Sequence, residues 1–213
     1  VGSSAAVTFS TSSLKEGTQL FQTLFDSKDW SGDLVAYNLN DDGSIDSTPA
    51  WSAATELATT AAEDRTIITW AENQGVAFQW DSLTTTQKAD LQTSPTGKTE
   101  TEALGQARLQ YLRGNRTNES PSGLGFRTRS NPLGDIWHSS AVYVGKPNRD
   151  WPDSGAGFPE DADKYSTFVT AKTERTPIVY AGANDGLLHG FNAADGKEVL
   201  AYAPGNLYND SIS

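Results

Sequence analysis

The chain of 213 residues contains no cysteine and no methionine, and only two histidines. Without cysteine there is no disulfide framework, no thiol nucleophile and no zinc–thiolate site. No apolar run approaches the roughly 18 residues that a membrane-crossing helix needs. Positive charge is scarce as well: 16 Lys and Arg stand against 27 Asp and Glu, a formal charge of −11. An acidic surface of that size repels phosphate backbones, which argues against a nucleic-acid binder. The chain begins Val1-Gly2-Ser3-Ser4, without an initiator methionine and without the charged-then-apolar pattern of a signal peptide. The expectation is a processed or trimmed part of a longer polypeptide.

What is present points to a folded β protein. Six Trp, seven Tyr and eight Phe argue against disorder, which is poor in aromatics. Gly, Asn, Asp, Ser and Thr recur along the chain, so turns are frequent and strands short. The length suffices for one sizeable core, and the composition leans towards an extracellular type of protein. Strands are predicted at 20–25, 33–38, 65–70, 76–80 and 137–144, with a turn at Gly75 and a short helix within 51–62.

Residues 82–114 change character and read as a two-helix insertion. Leu83, Gln87 and Leu91 share helical spacing behind Ser82, and Pro95 and Gly97 end that helix. Thr99 and Glu102 form a capping-box pattern ahead of Leu104, Ala107, Arg108, Tyr111 and Leu112, closed by Gly114. Residues 146–166 form a long Pro/Gly/Asp loop. Residues 176–203 predict three antiparallel strands joined by tight turns at 184–186 and 194–197, which is most of a propeller blade.

Here the sequence resembles a known family. The run Arg175-Thr176-Pro177-Ile178-Val179-Tyr180-Ala181-Gly182-Ala183-Asn184-Asp185-Gly186-Leu187-Leu188-His189-Gly190-Phe191, with Gly196-Lys197-Glu198 and Ala201-Tyr202-Ala203-Pro204, is similar to the PilC/PilY-type proteins. These are type IV pilus-tip adhesins and biogenesis factors. Leu133-Gly134-Asp135-Ile136-Trp137-His138-Ser139, Val142-Tyr143-Val144-Gly145, Tyr111-Leu112-Arg113-Gly114, Phe126-Arg127-Thr128-Arg129 and Trp30-Ser31-Gly32-Asp33-Leu34 fit the same family in order. Leu187 departs from it, at a position where the family commonly has Met.

The resemblance implies a mainly β chain, part of a quinoprotein-like β-propeller that residues 1–213 leave incomplete. It implies a non-enzymatic module on the bacterial cell surface, at the pilus tip. The family's roles are pilus assembly, countering retraction, adhesion and surface sensing, with minor pilins and host or abiotic surfaces as partners. A von Willebrand A-like region typically precedes the propeller, and the family's Asp-x-Asp-x-Asp calcium loop is placed downstream of this chain. A propeller needs about four to eight blades of about 40–50 residues, so about three blades are expected here. Further polypeptide, or a second chain, would close the ring and cover its sheet edges.

Several residues are candidates for a site. Asn38, Asn40, Asp42, Ser44 and Asp46 offer oxygens at alternate positions around Gly43, the spacing of an EF-hand-type calcium loop. Position twelve is Pro49, however, and the same residues also suit a plain hairpin turn. His138 and His189, the two histidines, offer a paired metal or catalytic role, but they read rather as strand-end imidazoles bonded to neighbouring blades, with no acid–base constellation expected around either. Asp185-Gly186 and Asp195-Gly196-Lys197 resemble a quinoprotein blade repeat, which supports a quinone-dependent dehydrogenase fragment as the alternative function. Arg113, Arg116, Arg127 and Arg129 meet either an acidic partner or the chain's own surplus carboxylates. Asn115, Asn118 and Asn209 head glycan-acceptor patterns. Trp151, Phe158 and Tyr165 either anchor a partner or tuck the long loop onto the propeller.

Overall fold

Two stacked sheets organise the computed structural model, which describes residues 2–10, 18–121, 123–155, 163–205 and 208. β1 (Gly2–Phe9), β2 (Gln19–Asp26), β3 (Ser31–Asn38) and β4 (Trp51–Ser52) form a four-stranded antiparallel sheet in chain order. Side chains of a strand alternate between faces. The pairings Phe21↔Ala36 and Thr23↔Leu34 therefore put four buried residues on one face. α1 (Ala53–Ala58) follows at once, capped by the Ser52 hydroxyl, which accepts from the Thr55 amide. Asp33 braces that start by accepting from the Ala54 amide and the Ser52 hydroxyl at 2.9 and 2.7 Å.

The second sheet contains β5 (Ile67–Ala71), β6 (Gln74–Ala77), β7 (Val142–Val144), β8 (Ile178–Gly182), β9 (Leu188–Asn192) and β10 (Glu198–Ala203). Its order is β6-β5-β10-β9-β8-β7. The last four strands by sequence are antiparallel neighbours and make a four-stranded meander. β5 then joins β10 in parallel, with Ile68 opposite Tyr202. The sheets face each other over a core of Phe21, Leu34 and Trp51 from one side and Val179, Ala181 and Phe191 from the other. Phe21 stacks on Tyr143 with ring centroids 5.8 Å apart. The turn glycine Gly196 belongs to this packing. A Cβ there would lie 2.5 Å from the Trp51 ring, while Trp51 donates its indole N–H to the Ala193 carbonyl at 2.9 Å. The blade-like Asp-Gly-Lys turn thus has a packing role.

The insertion supplies α2 (Thr85–Leu91) and α3 (Glu102–Leu112). Its Leu83, Leu91 and Leu109 pack on Ile67, Phe78, Leu187 and Ala201, so the two helices close a second core against the sheet. Among the described residues neither sheet closes on itself, and the architecture is that of an incomplete propeller.

Several details differ from the sequence expectations. The described residues hold two sheets rather than three blades, because β5 and β6 extend the second sheet through β10. The strand expected over 137–144 shrinks to Val142–Val144. Upstream of it the backbone is pinned as a loop between the sheets: the Gly32 amide donates to the Leu133 carbonyl, and a Cβ on Gly134 would meet the Asp185 amide nitrogen at 2.4 Å. Gly75 lies inside β6, and the turn before it is Glu72-Asn73, with φ of 49° and 64°, the left-handed pair that a tight hairpin uses. The helix caps are Thr84 and Thr101, not Ser82 and Thr99, and Thr84 with Gln87 makes a complete capping box. A fourth helix, α4 (Tyr165–Ala171), stands where the sequence suggests the end of a loop.

Candidate functional site

Chemistry-bearing side chains converge inside the second sheet. Gly186, with φ of 88°, turns β8 into β9 and leaves Asp185 beside His189, four residues on. Glu198 enters from β10. The His189 ring, fully buried, holds Glu198 Oε1 at 2.7 Å through Nδ1 and Asp185 Oδ2 at 3.0 Å through Nε2. Arg65 grips Glu198 with two donors, Nε to Oε2 at 2.7 Å and Nη2 to Oε1 at 2.8 Å. Its remaining arm donates to the Arg113 carbonyl at the end of α3, at 2.7 Å. Arg113 in turn donates to the carbonyls of Phe78, Ala62 and Arg65 at 2.8 to 3.1 Å. Asp185 completes the chain by accepting from the Gly134 amide at 2.9 Å and the Leu187 amide at 3.0 Å.

The electrostatics follow from this packing. Burial disfavours charge on His189, but the Asp185 charge and the bonds from Asp185 and Glu198 outweigh it and raise its pKa to about 9. Burial likewise works against the Glu198 carboxylate, yet His189 and Arg65 lower its pKa to about 2. Asp185 is also held below the usual carboxylate range, by His189 and two backbone amides against its burial. The ring is thus a buried imidazolium with both nitrogens occupied, stacked on Phe191. It acts as a staple between the β8–β9 turn, β10 and the helical insertion. The constellation around His189 corrects the expectation that none would form. His138 is separate from it: its backbone has φ of 63° and its ring packs on Trp137.

The arginine cluster turns to the chain's own groups. Arg129 lies 3.7 Å from the Tyr111 ring centroid and bonds Glu119 at 2.9 Å, and Arg116 reaches the same carboxylate at 3.1 Å. Arg127 donates to the Asp29 carbonyl at 2.7 Å. A groove of about 840 Å³ opens between the insertion and the β8–β9 turn, walled by Leu91, Leu112, Leu187 and Tyr208 with Arg108 and Asp185 at its polar side.

The other sequence candidates lie on the surface. Asn38, Asn40, Asp42, Ser44 and Asp46 meet at one hairpin tip, closed by the bridge Leu39↔Ile45. There the Asn38 and Asn40 amides donate to Asp46 at 3.3 and 3.1 Å, and Asp42 accepts from the Ser44 amide at 2.9 Å. The donor set holds two carboxylates, Asp42 and Asp46. Among the described residues no group of three or more acidic or His side chains gathers as a metal site. Trp151 and Tyr165 pack on each other with centroids 5.2 Å apart, and Tyr165 packs on Phe168. Trp151 stays 56% exposed, so the cluster both folds the loop and presents a surface. Phe158 and Asn209 lie outside the described residues. Asn115 holds the Thr117 amide with its side-chain oxygen.

Residues 133–213 match the family described as the PilY1 beta-propeller domain. The type IV pilus biogenesis factor PilY1 of Pseudomonas aeruginosa strain PAK is 37% identical over 194 residues, 88% of this chain and 16% of that protein. A type IV pilus biogenesis factor PilY1 homolog of Xylella fastidiosa strain Temecula1 is 33% identical over 204 residues, 95% of this chain and 15% of that protein. The chain belongs to the PilY1-type family. It spans about one sixth of the length of these relatives, given the 16% and 15% covered. No solved structure matches it. Within this family member, the matched propeller segment contains Asp185, His189 and Glu198, while Arg65 and Arg113 reach the network from outside it.

Two outcomes are expected. His189, raised from 6.5 to about 9, stabilises the fold fully below about pH 6.5 and loses that contribution as pH rises through about 9. Glu198, lowered from 4.5 to about 2, contributes fully above about pH 4.5 and loses it as pH falls through about 2. Melting temperature measured against pH should fall on both sides of that window, and His189→Gln should remove the alkaline decline. The calcium expectation for Asn38–Asp46 is tested by titration: a site there requires millimolar calcium to raise the melting temperature and Asp46→Ala to abolish the rise.

Proposed function

We propose that the chain is a non-enzymatic module of a type IV pilus-associated surface protein. It supports pilus assembly against retraction, and attachment, through protein–protein contacts at the pilus tip. The observation that carries this reading is the 37% identity over 194 residues to a protein named as a type IV pilus biogenesis factor. The geometry favours a scaffold over a catalyst. The buried His, Asp, Glu and Arg groups spend their bonds on one another and on backbone, and the His189 ring is fully buried. No helix among the described residues is long and apolar enough to cross a membrane.

Minor pilins, and host or abiotic surfaces, are the partners we propose. The contact surface proposed for them is the cluster of Trp151 and Tyr165. Aromatic side chains on a loop give large contact area at small entropic cost, which is why they anchor interfaces. The test is made in cells that produce the full-length protein. Removing residues 1–213 in frame should reduce surface pili to the level of a gene deletion. Trp151→Ala should weaken attachment or pilin capture while leaving the melting temperature unchanged. Normal piliation after the deletion would refute the reading, and normal binding by Trp151→Ala would refute the assigned surface.

A further inference from the structure

A cavity of about 380 Å³ lies where α4 meets the loop before it, within the size range of small-ligand sites. Its walls are aromatic: Trp151, Tyr165 and Phe168. Tyr165 and Phe168 stand three residues apart on α4, with ring centroids 5.9 Å apart, and Trp151 packs on Tyr165 at 5.2 Å. The rings are tilted by 37° and 47°, so they line a hollow instead of stacking face to face. Polar contacts hold this arrangement. Asp153 accepts from the Ser166 amide at 2.9 Å and the Ser166 hydroxyl at 2.6 Å, which ties the loop to the helix. The Tyr165 hydroxyl accepts from the Arg149 amide at 3.2 Å, and the Arg175 guanidinium stands 5.5 Å from the Phe168 ring centroid. Trp151 and Phe168 nevertheless remain 56% and 42% exposed. Rings that are fixed in place yet open to solvent have little left to lose on binding.

The polar lining decides what such a hollow can take. Asp153, Asp163 and Lys164 share it with the three rings. A cationic ligand would meet the Lys164 ammonium, and Phe168 already carries the Arg175 cation. An acidic ligand would meet two carboxylates on a chain of formal charge −11. A purely apolar side chain would strip water from Asp163 and Lys164 and return no hydrogen bond. What remains is an uncharged ligand with an apolar face for the rings and both donors and acceptors at its edge. A pyranose ring has this form. Its C–H face carries the partial positive charge that the negative face of an aromatic ring attracts. Its hydroxyls donate to carboxylates and accept from an ammonium. We propose that the Trp151, Tyr165 and Phe168 hollow is a binding site for a neutral saccharide. This inference rests on the reading of Trp151 and Tyr165 as a contact surface, and it selects a glycan-bearing host surface as the occupant.

The test applies the full-length protein to a glycan array printed with neutral and sialylated oligosaccharides. Neutral glycans should bind, and the signal should survive a rise in salt, because an uncharged ligand is not screened. Trp151→Ala should weaken binding to those glycans about tenfold, through loss of the ring face, with an unchanged melting temperature. Trp151→Phe keeps a ring and should retain most of the binding, which a role in folding the loop alone does not predict. An array on which no glycan binds would overturn the proposal. So would binding confined to sialylated glycans, or equal binding by Trp151→Ala. If the array is silent but Trp151→Ala still weakens attachment to cells, the saccharide is wrong and the contact surface stands. If attachment is unchanged as well, both fail.

Discussion

The buried chain of charges from Arg65 through Glu198 and His189 to Asp185 is the constraint on which the rest of the fold depends. It joins parts of the sequence as far as 133 residues apart. At one end Arg65 and Arg113 fix the exit of α3 and thereby the helical insertion. At the other, Asp185 receives the Gly134 amide and so fixes the loop that runs back to β3. Removing one member would leave the others as buried, uncompensated charges, which is far costlier than never having placed them. The parallel seam between β5 and β10 lies where Arg65 meets Glu198, so the same ion pair secures the extension of the sheet.

Much of the local structure was legible from sequence because it is written in neighbouring residues. The meander over 176–203 follows from turn residues at 184–186 and 194–197 between β-branched runs, and the structure has it as β8, β9 and β10. Gly114, with φ of 108°, ends α3 as its position suggests. The misses are long-range or weakly signalled. Nothing local announces that β5 pairs in parallel with β10. α4 has no side-chain cap and is built from Tyr, Ser, Thr, Phe and Val, residues that favour strands or turns as readily as helix. The strand expected at 137–144 yields to the close approach of Gly134 to Asp185, a tertiary contact.

The candidate site was legible in part. His189 stood out as one of two histidines, and a bonded imidazole between strands was the expected reading. Its partners were hidden by their spacing: Asp185 across a turn, Glu198 on the next strand, Arg65 far upstream. The alternation of the β9–β10 hairpin was the signal available, since it turns His189, Phe191 and Glu198 inward together. For the arginines, sequence left open an acidic partner or the chain's own acids. Arg116 and Arg129 take Glu119, and Arg113 takes backbone carbonyls. These arginines are therefore spent on the chain's own groups rather than offered as a basic surface.

The most direct test of the central role of the ion network is a double-mutant cycle on Arg65 and Glu198, measured by chemical denaturation. Arg65→Met and Glu198→Leu are each expected to cost about 3–5 kcal/mol alone, as each strands a buried charge. The double variant should cost less than their sum, by a coupling of about 1–3 kcal/mol. Additive costs would contradict the account, because the two side chains would then be stabilising the fold independently.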